Sequence, residues 1–135
     1  MGKSIVACVE DLFFRSKIDA TARHLSVPVR FVTCEELPRA CQEKGIAAAL
    51  IELSAPGEPL EAVRAIRSQD TTREVPVIAF LSHVNRDLAQ KAESAGATRV
   101  LPRSQFSETL PDLVMDLVAP GTKREIQEEP ELPDE

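Results

Sequence analysis

The 135-residue sequence contains no tryptophan and no tyrosine, and five phenylalanines are its only aromatic residues. The core must therefore be mostly aliphatic, and no stacking platform for a flat ligand is indicated. The sequence also lacks a glycine-rich phosphate loop, a Gly-x-Ser-x-Gly nucleophile motif and a His-Glu-x-x-His zinc motif. We therefore expect that the protein is not an enzyme, and we assign no catalytic residue.

Cysteine is scarce, and so are long apolar runs. Cys8, Cys34 and Cys41 do not have metal-ligand spacing, and their odd number cannot close a disulfide framework. No apolar run approaches the roughly 18 residues that a membrane helix needs. The N-terminus lacks the long apolar segment of an export signal. These absences predict free thiols, a cytoplasmic location and no contact with a membrane.

The charge of the chain is negative and unevenly distributed. A net charge of -6 at pH 7 argues against a nucleic-acid partner. Residues 119–135 hold six acidic and two basic residues together with several prolines, a composition typical of disorder. The sequence therefore predicts one nearly neutral domain, residues 1–118, followed by an acidic, proline-rich disordered tail, residues 119–135.

Apolar stretches that predict strands alternate with amphipathic stretches that predict helices. The predicted strands are residues 4–9, 29–32, 46–52, 77–81 and 98–102, and the predicted helices begin near residues 12, 33, 60, 86 and 107. A capping box from Thr33 to Glu36 predicts a second helix that extends to Lys44. Residues 103–106 are predicted to form a loop, with Ser107 capping the last helix. This alternation predicts an α/β fold, a doubly wound parallel sheet with helices on both faces.

The third predicted strand is an apolar run that ends in one acidic residue, Glu52. Such a run is typical of a central strand that is buried on both faces. Glu10 and Asp11 follow the first strand, and the carboxyl ends of parallel strands meet at one edge of a sheet. Three carboxylates that meet there would suit a hard cation such as Mg²⁺. Glu10, Asp11 and Glu52 therefore form a candidate metal site, although an acidic pair that starts a helix is an alternative interpretation of Glu10 and Asp11.

With these features, residues 3–118 resemble the receiver domain of bacterial two-component response regulators. Members of that family carry an acidic pair after strand one, and an aspartate at the end of strand three accepts a phosphoryl group from a histidine kinase. A threonine or serine follows strand four and a lysine follows strand five. The resemblance implies a flavodoxin-like sheet of strand order 2-1-3-4-5, Mg²⁺ at the acidic residues and a role in phosphorelay signal transduction.

The resemblance is incomplete at three of these positions. Glu52 takes the acceptor position, since Glu52 to Pro56 follows the family's spacing from acceptor to proline. Leu81 takes the switch-hydroxyl position and Ser82 stands one residue late, where it could instead cap a helix. Arg103 falls on the lysine position. Glutamate is one methylene longer than aspartate, leucine cannot donate a hydrogen bond, and arginine differs from lysine in shape and reach.

These departures predict a stand-alone pseudo-receiver that works without phosphorylation. Only the short tail follows the predicted domain, so we expect the output to be a partner protein, or a second copy of the chain, bound at the face from helix four to helix five. A salt bridge between Glu52 and Arg103 could hold one signalling conformation. The alternatives are a phosphorylatable single-domain response regulator and a flavodoxin-like protein that binds a small ligand.

Overall fold

We describe the protein from a computed structural model, which covers residues 3–81 and 84–119. The strands are β1 (Ser4–Cys8), β2 (Val29–Phe31), β3 (Ile46–Glu52), β4 (Val77–Leu81) and β5 (Arg99–Pro102). The helices are α1 (Leu12–His24), α2 (Leu37–Ala40), α3 (Pro59–Ser68), α4 (Arg86–Ala95) and α5 (Arg103–Val118). All neighbouring strands pair in parallel, in the order β2-β1-β3-β4-β5. This topology confirms the predicted doubly wound, flavodoxin-like sheet.

The sheet separates two apolar clusters because successive side chains of a strand point to opposite faces. In β1, Ile5 and Ala7 belong to the cluster that α1 and α5 cover. Val6 and Cys8 belong to the cluster on the opposite face, which α2, α3 and α4 cover. Strand β3 lies between the two clusters and is buried from Ala48 to Glu52. The apolar run therefore is the central strand that its composition predicts.

Three phenylalanines join α1 and α5 to the sheet. The ring centroids of Phe80 in β4 and Phe106 in α5 lie 4.1 Å apart in a stacked arrangement. The ring of Phe14 in α1 lies 4.8 Å from that of Phe80. All three side chains are fully buried. In a protein without tryptophan or tyrosine, this cluster supplies the aromatic bulk of the core.

The start of the last helix differs from the prediction. The expected loop at residues 103–106 and the expected cap at Ser107 are both wrong, because α5 begins at Arg103 and Pro102 occupies the N-cap position. The reason is a long-range contact: Phe106 is buried against the sheet within the first turns of the helix. Pro111 consequently lies inside α5 and not in its first turn.

The second helix is shorter than predicted, although its capping box is present. The Thr33 N–H donates to Glu36 Oε1 at 3.1 Å, and the Glu36 N–H donates to Thr33 Oγ1 at 3.2 Å. However, α2 ends at Ala40 and not at Lys44. The Gln42 N–H donates to the carbonyl three residues earlier, at 3.0 Å, so the backbone tightens into turns there.

Two predictions concern the tail and the absence of a membrane helix. Apart from Ala119, the predicted disordered tail lies outside the described residues, so the domain boundary stays a prediction. Within residues 3–81 and 84–119, every helix is too short or too polar to cross a membrane.

One arginine connects α3 to the start of β4 and to the turn before β5. Arg67 Nε donates to the Gly96 carbonyl at 2.7 Å, and Nη1 donates to the Val75 and Arg73 carbonyls at 2.7 and 3.0 Å. Its Nη2 donates to Thr98 Oγ1 at 2.9 Å. A single half-buried side chain thus supplies donors to three backbone carbonyls of two separate segments.

We expect the substitution Arg67→Met to lower the free energy of unfolding by about 2 kcal/mol, because it leaves these carbonyls without their donors. Arg64 on the same helix is the matched control, since its Nη1 contacts only the exposed carboxylate of Glu61 among the contacts described. Arg64→Met should change the free energy by less than about 0.5 kcal/mol. Urea unfolding followed by circular dichroism measures both, and equal effects would contradict the role of Arg67.

Candidate functional site

Glu52 is the last residue of β3 and lies at the carboxyl edge of the sheet. Its neighbour Ile51 pairs with Cys8, the last residue of β1. The turn that connects β1 to α1 therefore passes directly beside Glu52. Although the residue is charged, only 4% of its surface is exposed. A carboxylate at such a depth requires hydrogen-bond donors.

The donors come mostly from the backbone. Glu52 Oε1 accepts the N–H of Glu10 at 2.8 Å and the N–H of Asp11 at 3.0 Å. Glu52 Oε2 accepts the hydroxyl of Ser54 at 2.9 Å. Backbone N–H groups that donate to an ionised carboxylate make strong, charge-assisted hydrogen bonds. The interactions fix the end of β3 to the turn after β1.

The acidic pair contributes its backbone N–H groups to Glu52. Asp11 is the N-cap of α1, and its Oδ1 accepts the N–H of Phe14 at 3.2 Å. The side chain of Glu10 is exposed. The alternative interpretation of Asp11 as an acidic helix start therefore agrees with the geometry.

This arrangement does not fit a magnesium ion. Both oxygens of Glu52 accept hydrogen bonds, and one oxygen of Asp11 caps a helix. In the part of the chain that the structure describes, no group of three or more His, Cys, Asp or Glu side chains is placed to hold a metal. Mg²⁺ coordination by Glu10, Asp11 and Glu52 stays a prediction without geometric support.

The switch-hydroxyl position is occupied by an apolar side chain. Leu81 ends β4, pairs with Pro102 of β5 and is 8% exposed. It packs in the apolar cluster under α2, α3 and α4. Ser82, the neighbouring hydroxyl, lies outside the described residues. Leucine has no hydroxyl, so residue 81 cannot donate a hydrogen bond from its side chain.

Arg103 is the first residue of α5. Its guanidinium carbon lies 5.4 Å from the centroid of the Phe14 ring, over the face of the ring. This cation–π contact joins the start of α5 to the first turn of α1. The salt bridge between Arg103 and Glu52 stays a prediction.

Sequence reasoning missed Ser54 and the backbone donors of the turn. Ser54 stands two residues after Glu52, where the turn brings its hydroxyl back to the carboxylate. A small polar residue at that spacing was a signal for a local hydrogen bond. The direction of the Glu10 and Asp11 N–H groups has no sequence signal, because every residue except proline has one.

A groove of about 330 Å³ lies on the face between α4 and α5, where the sequence predicts a partner surface. Its wall is mostly apolar, and Arg86 and Arg103 are among the residues that line it. The groove is lined by Leu81, Val84, Asn85, Arg86, Ala89, Val100, Pro102, Arg103 and Ser104.

The sequence matches no protein-family model, and no curated protein matches it. The structure is similar to the receiver domain of the sensor histidine kinase PA1611 of Pseudomonas aeruginosa, which was solved with a magnesium ion coordinated in its active-site cleft. The TM-score is 0.75 at 22% identity, over 87% of this chain and 98% of that one.

Two response regulators give comparable results. For the chemotaxis response regulator CheY4 of Vibrio cholerae, the TM-score is 0.73 at 18% identity, over 87% of this chain and 99% of that one. For the phosphorylated cyanobacterial phytochrome response regulator RcpA, the TM-score is 0.74 at 17% identity, over 90% of this chain and 98% of that one. The topology, the position of Glu52 and these similarities agree: the chain has the fold of response-regulator receiver domains.

Proposed function

We propose that the protein is a receiver-like signalling module that acts through protein contacts, does not accept a phosphoryl group and catalyses no reaction. The observation that carries the proposal is the state of Glu52. Its carboxylate occupies the acceptor position, is 4% exposed and is held by two backbone N–H groups and one hydroxyl.

Phosphoryl transfer to Glu52 is disfavoured by this geometry. An attacking oxygen must be in line with the leaving group, and the phosphoryl charge needs positioned donors or a metal ion. Both oxygens of Glu52 already accept hydrogen bonds. Leu81 offers no donor, and the donor set does not fit Mg²⁺. The same contacts give Glu52 a structural role, because its hydrogen-bonded side chain joins β3 to the start of α1.

The groove between α4 and α5 is the surface on which we expect a partner protein. Val84, one of the residues that line it, is 91% exposed and so offers apolar surface for contact. Arg86 and Arg103 line the same groove. A partner segment with one apolar anchor and flanking acidic residues would match both the apolar wall and the positive charges.

The structural role of Glu52 predicts a loss of stability on truncation. Glu52→Ala should lower the free energy of unfolding by about 2–3 kcal/mol, because the Glu10 and Asp11 N–H groups lose their acceptor. Glu58, exposed in the same β3–α3 connection and without a side-chain cap hydrogen bond, is the control. Glu58→Ala should have an effect within about 0.5 kcal/mol. Urea unfolding of both variants measures the difference, and similar values would contradict the structural role.

The absence of phosphorylation is tested directly with a small phosphodonor. We expect the wild-type protein, incubated with acetyl phosphate and Mg²⁺, to show no added phosphoryl group by intact-protein mass spectrometry. The triple variant Glu52→Asp, Leu81→Thr, Arg103→Lys is the informative comparison, because it restores an acceptor, a hydroxyl and a lysine to their family positions.

Comparison of the wild type with the triple variant distinguishes the possible explanations. If only the triple variant gains phosphate, these three residues account for the lack of phosphorylation of the wild type. Phosphate on Glu52 of the wild type would overturn the proposal and favour a phosphorylatable regulator in a phosphorelay. A matched incubation of a receiver domain with an aspartate acceptor shows that the donor is active.

The partner surface is tested by placing one charge in the groove. We expect Val84→Asp to abolish capture of a partner from a lysate of the native host, because the negative charge opposes an acidic, apolar segment. Leu12, which is also apolar and 77% exposed but lies on α1, provides the control Leu12→Asp. If both variants lose the partner, or neither does, the groove is not the surface. Sedimentation of the wild type shows whether the captured partner is a second copy of the chain.

A further inference from the structure

Two of the three free cysteines are in contact. Cys8 is the last residue of β1, and Cys34 lies in the connection between β2 and α2. Their sulfur atoms are 2.9 Å apart, although 26 residues separate them in the sequence. Since the sulfur–sulfur bond of a disulfide is about 2.05 Å long, the two atoms need to approach by only about 0.9 Å to form one.

The third cysteine provides a contrast within the same apolar cluster. Cys41 is buried with Cys8 and Cys34 beneath α2, α3 and α4. Burial raises the pKa of the Cys41 thiol to about 11. A thiol with such a pKa is almost fully protonated at neutral pH and reacts slowly, because the thiolate is the nucleophile.

The two thiols in contact differ in the direction of their pKa shifts. The hydrogen bond between them lowers the pKa of Cys34 and raises the pKa of Cys8, and either sulfur can be its donor. Burial opposes ionisation of both thiols. The carboxylates of Glu10 and Glu52 raise the pKa of both, and that of Glu35 also raises the pKa of Cys34.

Cys34 is buried but forms part of the wall of a surface cavity. The cavity has a volume of about 190 Å³ and is bordered by Glu35, Pro38, Glu58 and Glu61. Space of this size admits several water-sized molecules. The cavity thus gives a small neutral oxidant such as hydrogen peroxide a route to the residue Cys34.

We propose that Cys8 and Cys34 are an oxidation site, at which hydrogen peroxide converts the two thiols of the folded protein into an intramolecular disulfide. The reaction would leave Cys41 reduced. Cys8 precedes Glu10 by two residues, so the disulfide would join the β2–α2 connection to the strand end beside Glu52.

The reaction is balanced in two steps. The Cys34 thiolate attacks one peroxide oxygen, the O–O bond breaks, and the second oxygen leaves as hydroxide and takes up a proton to give water. Cys8 sulfur then attacks the sulfenic acid of Cys34, the sulfur–sulfur bond forms and a second water leaves with the Cys8 proton. Two thiols and one peroxide give one disulfide and two waters, and each sulfur loses one electron.

The sequence allows a direct test by peptide mapping. Cleavage by trypsin after lysine and arginine puts the three cysteines on separate peptides, residues 4–15, 31–39 and 40–44. The folded protein is treated with a small excess of hydrogen peroxide, alkylated in denaturant and digested without reductant. We expect a linked peptide of residues 4–15 and 31–39, and an alkylated peptide 40–44. The link should form at least about tenfold faster in folded than in urea-unfolded protein, because the fold holds the thiols in contact.

Peptide mapping of the wild-type protein can also refute the proposal. This test does not depend on whether a variant folds. Alkylation of all three cysteines after peroxide treatment would refute it. So would links to Cys41 that are as abundant as links between Cys8 and Cys34, or equal rates in folded and unfolded protein. As matched variants, Cys41→Ser should retain the linked peptide and Cys34→Ser should lose it, with the fold of each checked by circular dichroism.

Discussion

The carboxyl edge of the sheet depends on one constraint: a buried strand, β3, ends in the carboxylate of Glu52. Glu52 continues the apolar run of β3 but carries a carboxylate into a site with almost no access to water. Such a group is stable only when donors surround it. The turn after β1 meets that need with two backbone N–H groups, and its path is thereby fixed. The position of α1 follows from this path, since Asp11 both donates to Glu52 and caps the helix.

Much of the architecture could be read from local patterns. Strands of apolar residues, amphipathic helices and the Thr33–Glu36 capping box all depend on neighbours in the sequence, and the structure contains them. The placement of Glu52 at the carboxyl edge follows from the same reading, since strand ends converge in a parallel sheet. The start of α5 was misjudged because the burial of Phe106 depends on Phe80 and Phe14, which are distant in the chain.

The contacts within the candidate site were harder to predict from the sequence, for a different reason. Sequence identifies side chains, whereas the main partners of Glu52 are backbone groups whose direction is known only once the turn is folded. The three-carboxylate interpretation assumed that acidic residues at one edge point toward one another. In the structure, Asp11 caps a helix and Glu10 is exposed. The contact of Cys8 with Cys34 was equally hidden, because 26 residues separate them.

The position of Arg103 has a thermodynamic consequence. Its side chain lines the groove between α4 and α5 and also covers the ring of Phe14, in the first turn of α1. A ligand in the groove that moved the Arg103 side chain would alter its packing on that ring. By linkage, the coupling would be reciprocal: a second ligand that bound at the β1–α1 turn and changed this packing would alter the affinity of the groove by the same factor as the groove ligand alters its own. One side chain thus connects the groove to a buried ring at the start of α1.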